Sequence, residues 1–363
     1  FRENASEKQL GAVKKPVLAV NPVAGDFDWE TAEPHKFRPF KPIYHITMGN
    51  TPHVNPLSSL STKMTDARAR LFTACQLTPS DLIIIDSNYL SRIQLRRELI
   101  RDHPHHVVGS LPCGADAVRE TYAYVRDFLL ARYPTLFSRD DDKGLFRNHV
   151  TGQSLPLELP PPAAGGGGDE DAVATLKLLA EMVEDDLFLL RATPEGHQCV
   201  ALLCCFPSGF DPAEKLGKVL KDIHGPVPSY EKIGASMERF FGRLEVGKSV
   251  VRNNWSVNLT PELFNVATNH IKDGDAYKED VDVDISKAYV RVELQTLTRL
   301  PKTQAILFSF KTYLYPVTDI KAEGLGPEVA DAIEGLPRGN APGMWKYKGG
   351  VRWGKSICAY LRS

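Results

Sequence analysis

Apolar positions recur along this chain with two different periods, and the change between them organises it. Between Asn88 and Arg101, Leu90, Ile93, Leu95 and Leu99 are apolar with arginines between them, and residues 114–132 carry a second amphipathic pattern. Both predict helices. From Asp169 the texture changes. Residues 171–185 read as a helix, and Leu187 to Arg191 and Cys199 to Phe206 are short apolar runs around the turn Pro194-Glu195-Gly196. That pattern predicts a pair of strands. Helices are expected over 211–223 and 229–243, then three longer strands over 248–259, 288–299 and 304–316. A helix near 326–335 and a basic tail (Lys346, Lys348, Arg352, Lys355) close the chain, the tail reading as a solvated edge.

Strands and helices in blocks predict an α+β fold with an antiparallel sheet. Two strands, connecting helices and three strands is also the element order of a PAS domain, so the expectation is a PAS-like antiparallel sheet with helices on one face. Residues 1–153 read as an N-terminal helical and irregular wrap, with a short strand-like piece at Ile43 to Gly49. Residues 154–170 read as a flexible Pro/Gly loop, 171–320 as the PAS-like core, and 321–363 as the C-terminal helix and tail. The four glycines Gly165 to Gly168 are not a phosphate loop, because no Lys-Ser/Thr follows them and no strand feeds them.

Charge and cysteine content narrow the function classes. Lys+Arg is 44 and Asp+Glu 45, a formal charge of -1, which argues against a general nucleic-acid binder. There is no apolar run of about 18 residues, so no transmembrane helix is expected, and membrane contact would require an N-terminal anchor preceding Phe1. The six cysteines form no CxxC pair and no zinc or iron–sulfur spacing. They read as buried reduced thiols, which fits a cytoplasmic, reducing compartment.

The most informative segment runs from Glu214 to Tyr230. It predicts a helix that stops at His224 and is followed at once by Pro226 and Pro228. Proline fixes its own φ and pushes the preceding residue out of the helical region. His224 is therefore expected on a stiff corner, where an imidazole suits a metal or haem iron; the plainer reading is a histidine at a helix C-terminus. The cluster His103, His105 and His106 reads as a solvated helix end. In the later strands polar residues alternate: Arg252, Asn254 and Ser256 share a face, as do Arg291, Glu293 and Gln295, and as do Lys311, Tyr313 and Tyr315. Buried polar residues on a sheet need partners, so either a network, a polar pocket or a solvated face is implied.

Several segments in order resemble the haem-dependent oxidative N-demethylase family. They are Tyr44-His45-Ile46-Thr47-Met48-Gly49, Asp86-Ser87-Asn88-Tyr89-Leu90 with Arg96-Arg97, Glu184-Asp185-Asp186-Leu187-Phe188-Leu189-Leu190, and Cys205-Phe206-Pro207-Ser208. The Glu214 to Tyr230 segment follows, then Arg252-Asn253-Asn254-Trp255-Ser256, Arg291-Val292-Glu293-Leu294-Gln295-Thr296-Leu297 with Arg299-Leu300-Pro301, and Phe310-Lys311-Thr312-Tyr313. The resemblance implies a PAS-like haem-binding fold that oxidises a small amine with dioxygen. Its electrons come from NADPH through flavin and 2Fe–2S centres on partner subunits, that is, from an electron-transfer reductase. Two departures stand out: Leu294 where an arginine is expected after Glu293, and a larger insertion at 154–170.

With that resemblance, His224 is the expected ligand of haem b, His45, Cys204 and Cys205 being rivals. Lys215, Arg299 and Lys218 are candidates for the propionates, with Trp255 and Asn254 against the cofactor. Glu293 is expected to hold an ammonium substrate, and Lys311, Arg252 or Tyr313 to polarise bound oxygen. Three readings stay open: a haem-dependent oxidase or monooxygenase of an amine or related nitrogenous molecule, a haem-based gas or redox sensor, and a haem-free scaffold.

Overall fold

The computed structural model describes residues 19–37, 75–161, 168–272, 274–280 and 282–363. In chain order, the short strand β1 (Cys75–Gln76) is followed by helices α1 (Tyr89–Asp102) and α2 (Pro104–Val107), strand β2 (Val108–Ser110) and α3 (Ala115–Arg132). A small sheet of β3 (Phe137–Asp140), β4 (Leu145–Asn148) and β5 (Gln153–Pro156) precedes α4 (Asp169–Ala180). The hairpin β6 (Asp186–Thr193) and β7 (Gly196–Leu203) leads to α5 (Leu220–Ile223) and α6 (Gly234–Arg243). Then come the long strands β8 (Val250–Asn258), β9 (Tyr289–Arg299) and β10 (Ile306–Pro316), and a helical C-terminus: α7 (Val317–Ala322), α8 (Gly326–Gly335), α9 (Met344–Tyr347) and α10 (Gly350–Arg362).

The α+β expectation holds. The main sheet is antiparallel, in the order β1-β8-β9-β10-β6-β7-β2. Its register sorts the polar residues. Asn254 pairs with Glu293 and Arg252 with Gln295, while Glu293 pairs with Thr312. Directly paired residues point to the same side of a sheet, so Arg252, Asn254, Glu293, Gln295 and Arg291 share one face with Phe310, Phe308 and Phe188. Lys311 pairs with Leu294, and Tyr313 and Trp255 both pair with Val292, so these lie on the opposite face.

That opposite face is the structural one. Lys311 meets Ile84, Asp86 and Glu184 there, Tyr313 packs on Phe37, and the Tyr315 hydroxyl donates to His35 O. Arg191 of β6 reaches Cys113 O and Asp116 at the start of α3. His35, Phe37, Ile84 and Asp86 of the described N-terminal region thus contact this face. On the first face, α5 and α6 make their main sheet contact with β7.

Several boundaries moved for local reasons. Gly217, at φ 79°, breaks the helix expected over 211–223 into a 3-10 turn at Pro212–Lys215 and the single turn of α5. β7 ends at Leu203, three residues early, because the Asp186 carboxylate captures the Cys205 and Phe206 N–H groups. Ser154 to Pro156, expected in the flexible loop, belong to strand β5. The basic tail is not a tail: α9 and α10 are packed helices with Met344, Trp353, Ile357 and Leu361 buried. The piece at Ile43 to Gly49, including His45, lies outside the described residues. Among the described residues no helix is long and apolar enough to cross a membrane.

Candidate functional site

His224 caps α5. Its Nδ1 lies 2.9 Å from Leu220 O and donates to it, which fixes the tautomer and leaves Nε2 as the lone-pair nitrogen. The ring stacks on Tyr230, with centroids 4.9 Å apart and planes 6° from parallel. Ser229, at φ 63°, turns the chain so that Tyr230 returns against the imidazole; a non-glycine residue there is a strained choice. Burial pushes the His224 pKa down to about 4, and Arg252 and Lys215 add to the shift against the Leu220 hydrogen bond. The ring is thus neutral at physiological pH. The side chain is half-buried.

Across the same face runs a polar network. Arg252 Nε donates to Gln295 Oε1 (2.6 Å), Gln295 Nε2 to Glu293 Oε2 (2.9 Å), and Asn254 Nδ2 to the same carboxylate oxygen (3.2 Å). Arg291, fully buried, sits 3.4 Å from Glu293 Oε1 and donates to Phe206 O and to Leu263 O. Next to these groups Phe188 and Phe310 stack at 6.2 Å, with the half-buried Phe308 beside both. An apolar aromatic wall, a fixed neutral imidazole and two cations within electrostatic reach of it, Lys215 and Arg252, are what a haem with two propionates requires.

Two contributors were not foreseen. His270 stacks on Tyr347 (4.3 Å, 13°) and bonds the Gly209 backbone, where φ is 73°. A Cβ at Gly209 would stand 2.9 Å from the His270 Nδ1, so glycine is needed for the ring to seat. Burial, then Lys348, lowers its pKa to about 3. The loop before it is held by Asn269, which donates to Ser208 and Asn258, and by Arg352, which donates to Thr268 O. Lys348 is the second. Expected on a solvated edge, it is 2 % exposed and comes in at the border of β8, donating to Asn254 Oδ1 (3.2 Å) and to Trp255 O. Among the described residues β1 pairs with β8 at Val250 and Val251, at the far end of β8 from Asn254 and Trp255. Burial pushes the Lys348 pKa down to about 8 against the pull of Glu293. Neither residue belongs to a periodic pattern; a histidine after a run of polar loop residues and a lysine before Gly349-Gly350 carry no sequence signal of their own.

Other expected site residues go elsewhere. The sheet separates Lys311 and Tyr313 from Glu293 and Arg252, so the four do not form one pocket. Lys311 is enclosed by Asp86 (2.7 Å), Glu184 (2.6 Å) and Ile84 O (2.8 Å). Burial alone would lower its pKa, but Glu184, Tyr313 and Asp86 outweigh it and hold it above the usual lysine range. The Tyr313 hydroxyl is buried with no hydrogen-bond partner among the described residues, and burial raises its pKa. Arg299 is committed to Leu244 O (2.5 Å), Gln304 O (2.7 Å) and Phe241 O, pinning the end of α6. The Trp255 ring lies on the far side of the sheet from Asn254. Lys218 is exposed. Leu294 is buried opposite Lys311, so the missing arginine belongs to the structural face and not to the Glu293 network. Burial raises the pKa of both Cys204 and Cys205, which lie beside Asp186. The Asp186 contacts of Cys204 Sγ and Cys205 N set these residues in the core. His106 pairs with Asp211 (2.8 Å) and His103 stacks on Phe264, at the surface as expected. Among the described residues no group of three or more His, Cys, Asp and Glu could hold a metal ion.

The sequence model of the family described as haem-dependent oxidative N-demethylase, alpha subunit-like matches residues 73–358. The chain belongs to that family.

Proposed function

We propose that this member of the haem-dependent oxidative N-demethylase, alpha subunit-like family is a haem-dependent oxidase or monooxygenase. Its substrate is an amine or related nitrogenous small molecule. Dioxygen is the oxidant, and the electrons come from an NADPH-linked reductase carrying flavin and 2Fe–2S centres. The observation that carries the reading is the His224 imidazole, locked through Nδ1 on Leu220 O with Nε2 left to ligate. The order of the five central strands, with β10, the last in the chain, between β9 and the β6–β7 hairpin, favours a PAS-like core.

Haem b bound there supplies the redox iron for dioxygen chemistry. The protein's own groups do the rest. His224 would orient the group through its Nδ1 hydrogen bond to Leu220 O, which also raises the basicity of Nε2. Lys215 and Arg252 neutralise the propionates. Phe188, Phe308 and Phe310 exclude water from the wall of the site. Glu293, aimed by Asn254, Gln295 and Arg291, accepts the N–H of an ammonium substrate and so fixes the carbon to be oxidised. Lys311 and Tyr313 take no direct part.

The test is the visible spectrum of the full chain expressed with haem supplied, beside His224→Ala. A Soret band that is lost or strongly shifted in the variant supports the reading, and amine oxidation with a generic reductase then separates an enzyme from a sensor. A parent that takes up no haem removes both.

A further inference from the structure

Tyr230 belongs to two places at once. Its ring stacks on His224 at 4.9 Å, and it also lines an open cleft of about 490 Å³ that His224 itself does not line. Val227 adds apolar surface to that cleft, and the rest of its character is charge. Glu195 comes from the β6–β7 turn, Lys221 from α5, Glu231 from the turn before α6 and Glu238 from α6. Glu195 and Glu231 are exposed, and among the described residues their carboxylates have no hydrogen bond or ion pair. Glu238 alone is committed, to His197, with Oε2 2.5 Å from Nδ1 and both oxygens 3.2 Å from the backbone nitrogen.

Three carboxylates thus face one ammonium, in a chain whose overall charge is only -1. A second cleft, on the C-terminal helices, differs in kind. Its charges neutralise one another, Lys355 pairing with Asp280 and Arg362 with Glu334. Unpaired rim charge contributes little to the fold and much to the rate at which an oppositely charged protein arrives. The position of the cleft matters as much as its sign. Electron tunnelling falls steeply with distance and runs best through atoms in contact. Tyr230 and His224 are two parallel rings in contact, joining the cleft to the proposed haem ligand.

We infer that this cleft is where the electron-transfer partner docks, with lysine or arginine side chains over Glu195, Glu231 and Glu238 and its redox centre towards Tyr230. The Tyr230 and His224 rings are then the path inward. This rests on the haem-enzyme reading above and names the docking site of its partner. One electron moves per encounter: the partner's centre is oxidised, the haem iron is reduced, and no bond forms or breaks.

The experiment is anaerobic stopped-flow mixing of the haem-loaded, dithionite-reduced full chain with ferric cytochrome c, a basic redox protein. The electron then runs outward over the same path, oxidising the chain's haem and reducing the cytochrome. Haem content is recorded for every variant, and ferricyanide serves as a small anionic oxidant. Glu195→Lys with Glu231→Lys should slow the cytochrome c reaction about tenfold, remove its salt dependence and leave the ferricyanide reaction no slower. Asp142→Lys with Glu328→Lys makes the same charge change at exposed positions outside the cleft and should have a much smaller effect. Tyr230→Leu that keeps its haem should slow the reaction several-fold at saturating cytochrome c. A cleft pair as fast as the parent, or an outside pair slowed equally, overturns the docking site whatever Tyr230→Leu does. An unchanged rate in haem-replete Tyr230→Leu overturns the path. In each case a parent that binds haem leaves the enzyme reading standing; a parent that binds none brings down both.

Discussion

The two faces of the central sheet use the same kinds of residue and do different things with them. On one face Lys311 is closed in by two carboxylates and a carbonyl, and the cluster is complete in itself. On the other, His224 and His270 each spend one ring nitrogen on the backbone and keep accessible surface, and the Asn254 amide bonds both Glu293 and Lys348. A buried ionic group that satisfies its partners fixes the fold. A group whose geometry is fixed by neighbours but whose functional atom is left over is available for a ligand.

The largest expected effect tests the closed face. Lys311→Met leaves Asp86 and Glu184 buried without their cation and should cost about 3–5 kcal/mol in denaturant unfolding. The haem spectrum of the folded fraction should stay unchanged. A stable variant with an altered Soret band would break the distinction between the faces.

The next follows from pH. Burial lifts the Asp185 carboxyl to about 7, and its Oδ2 has no hydrogen-bond partner among the described residues. The folded state thus binds a proton that the unfolded chain has released above about pH 4. That contribution is complete below the unfolded pKa and is lost as pH rises towards 7. Asp185→Asn, which mimics the protonated form, should be the more stable chain at pH 8, by roughly 1–3 kcal/mol, with the gap closing near pH 4. Parallel melting curves across that range would refute it.

Arg299→Ala removes three contacts with backbone carbonyls at the end of α6. A loss of about 1–3 kcal/mol with haem affinity intact is expected; haem loss instead would return Arg299 to the propionates. The smallest effect is expected from Tyr230→Leu, which removes the ring behind His224. Faster haem transfer to apomyoglobin, by a few-fold, should result, with stability changed by about 1 kcal/mol. An unchanged transfer rate would show that the stack does not orient the imidazole.

Much of this was legible in the residues. The α1 and α3 periodicities, the β6–β7 hairpin around its turn and the three long strands are local patterns, and local patterns survive folding. The proline corner also announced His224, because proline restricts φ wherever it stands. Alternation correctly grouped Arg252 with Asn254, Glu293 with Gln295, and Lys311 with Tyr313, since a strand has a period of two. It could not say which groups share a side of the sheet. That depends on the register between strands, where pairing Lys311 with Leu294 and not with Glu293 puts it on the opposite face. Nor could the sequence place Lys348 or His270. Each reaches the site through long-range packing, Lys348 from the turn between α9 and α10 to β8 and His270 from a loop seated on Gly209. Sequence set the strands, the fold class and one candidate ligand. Tertiary structure alone decided which charges face each other, because contact between distant segments is fixed by packing and register and leaves no periodic trace in the chain.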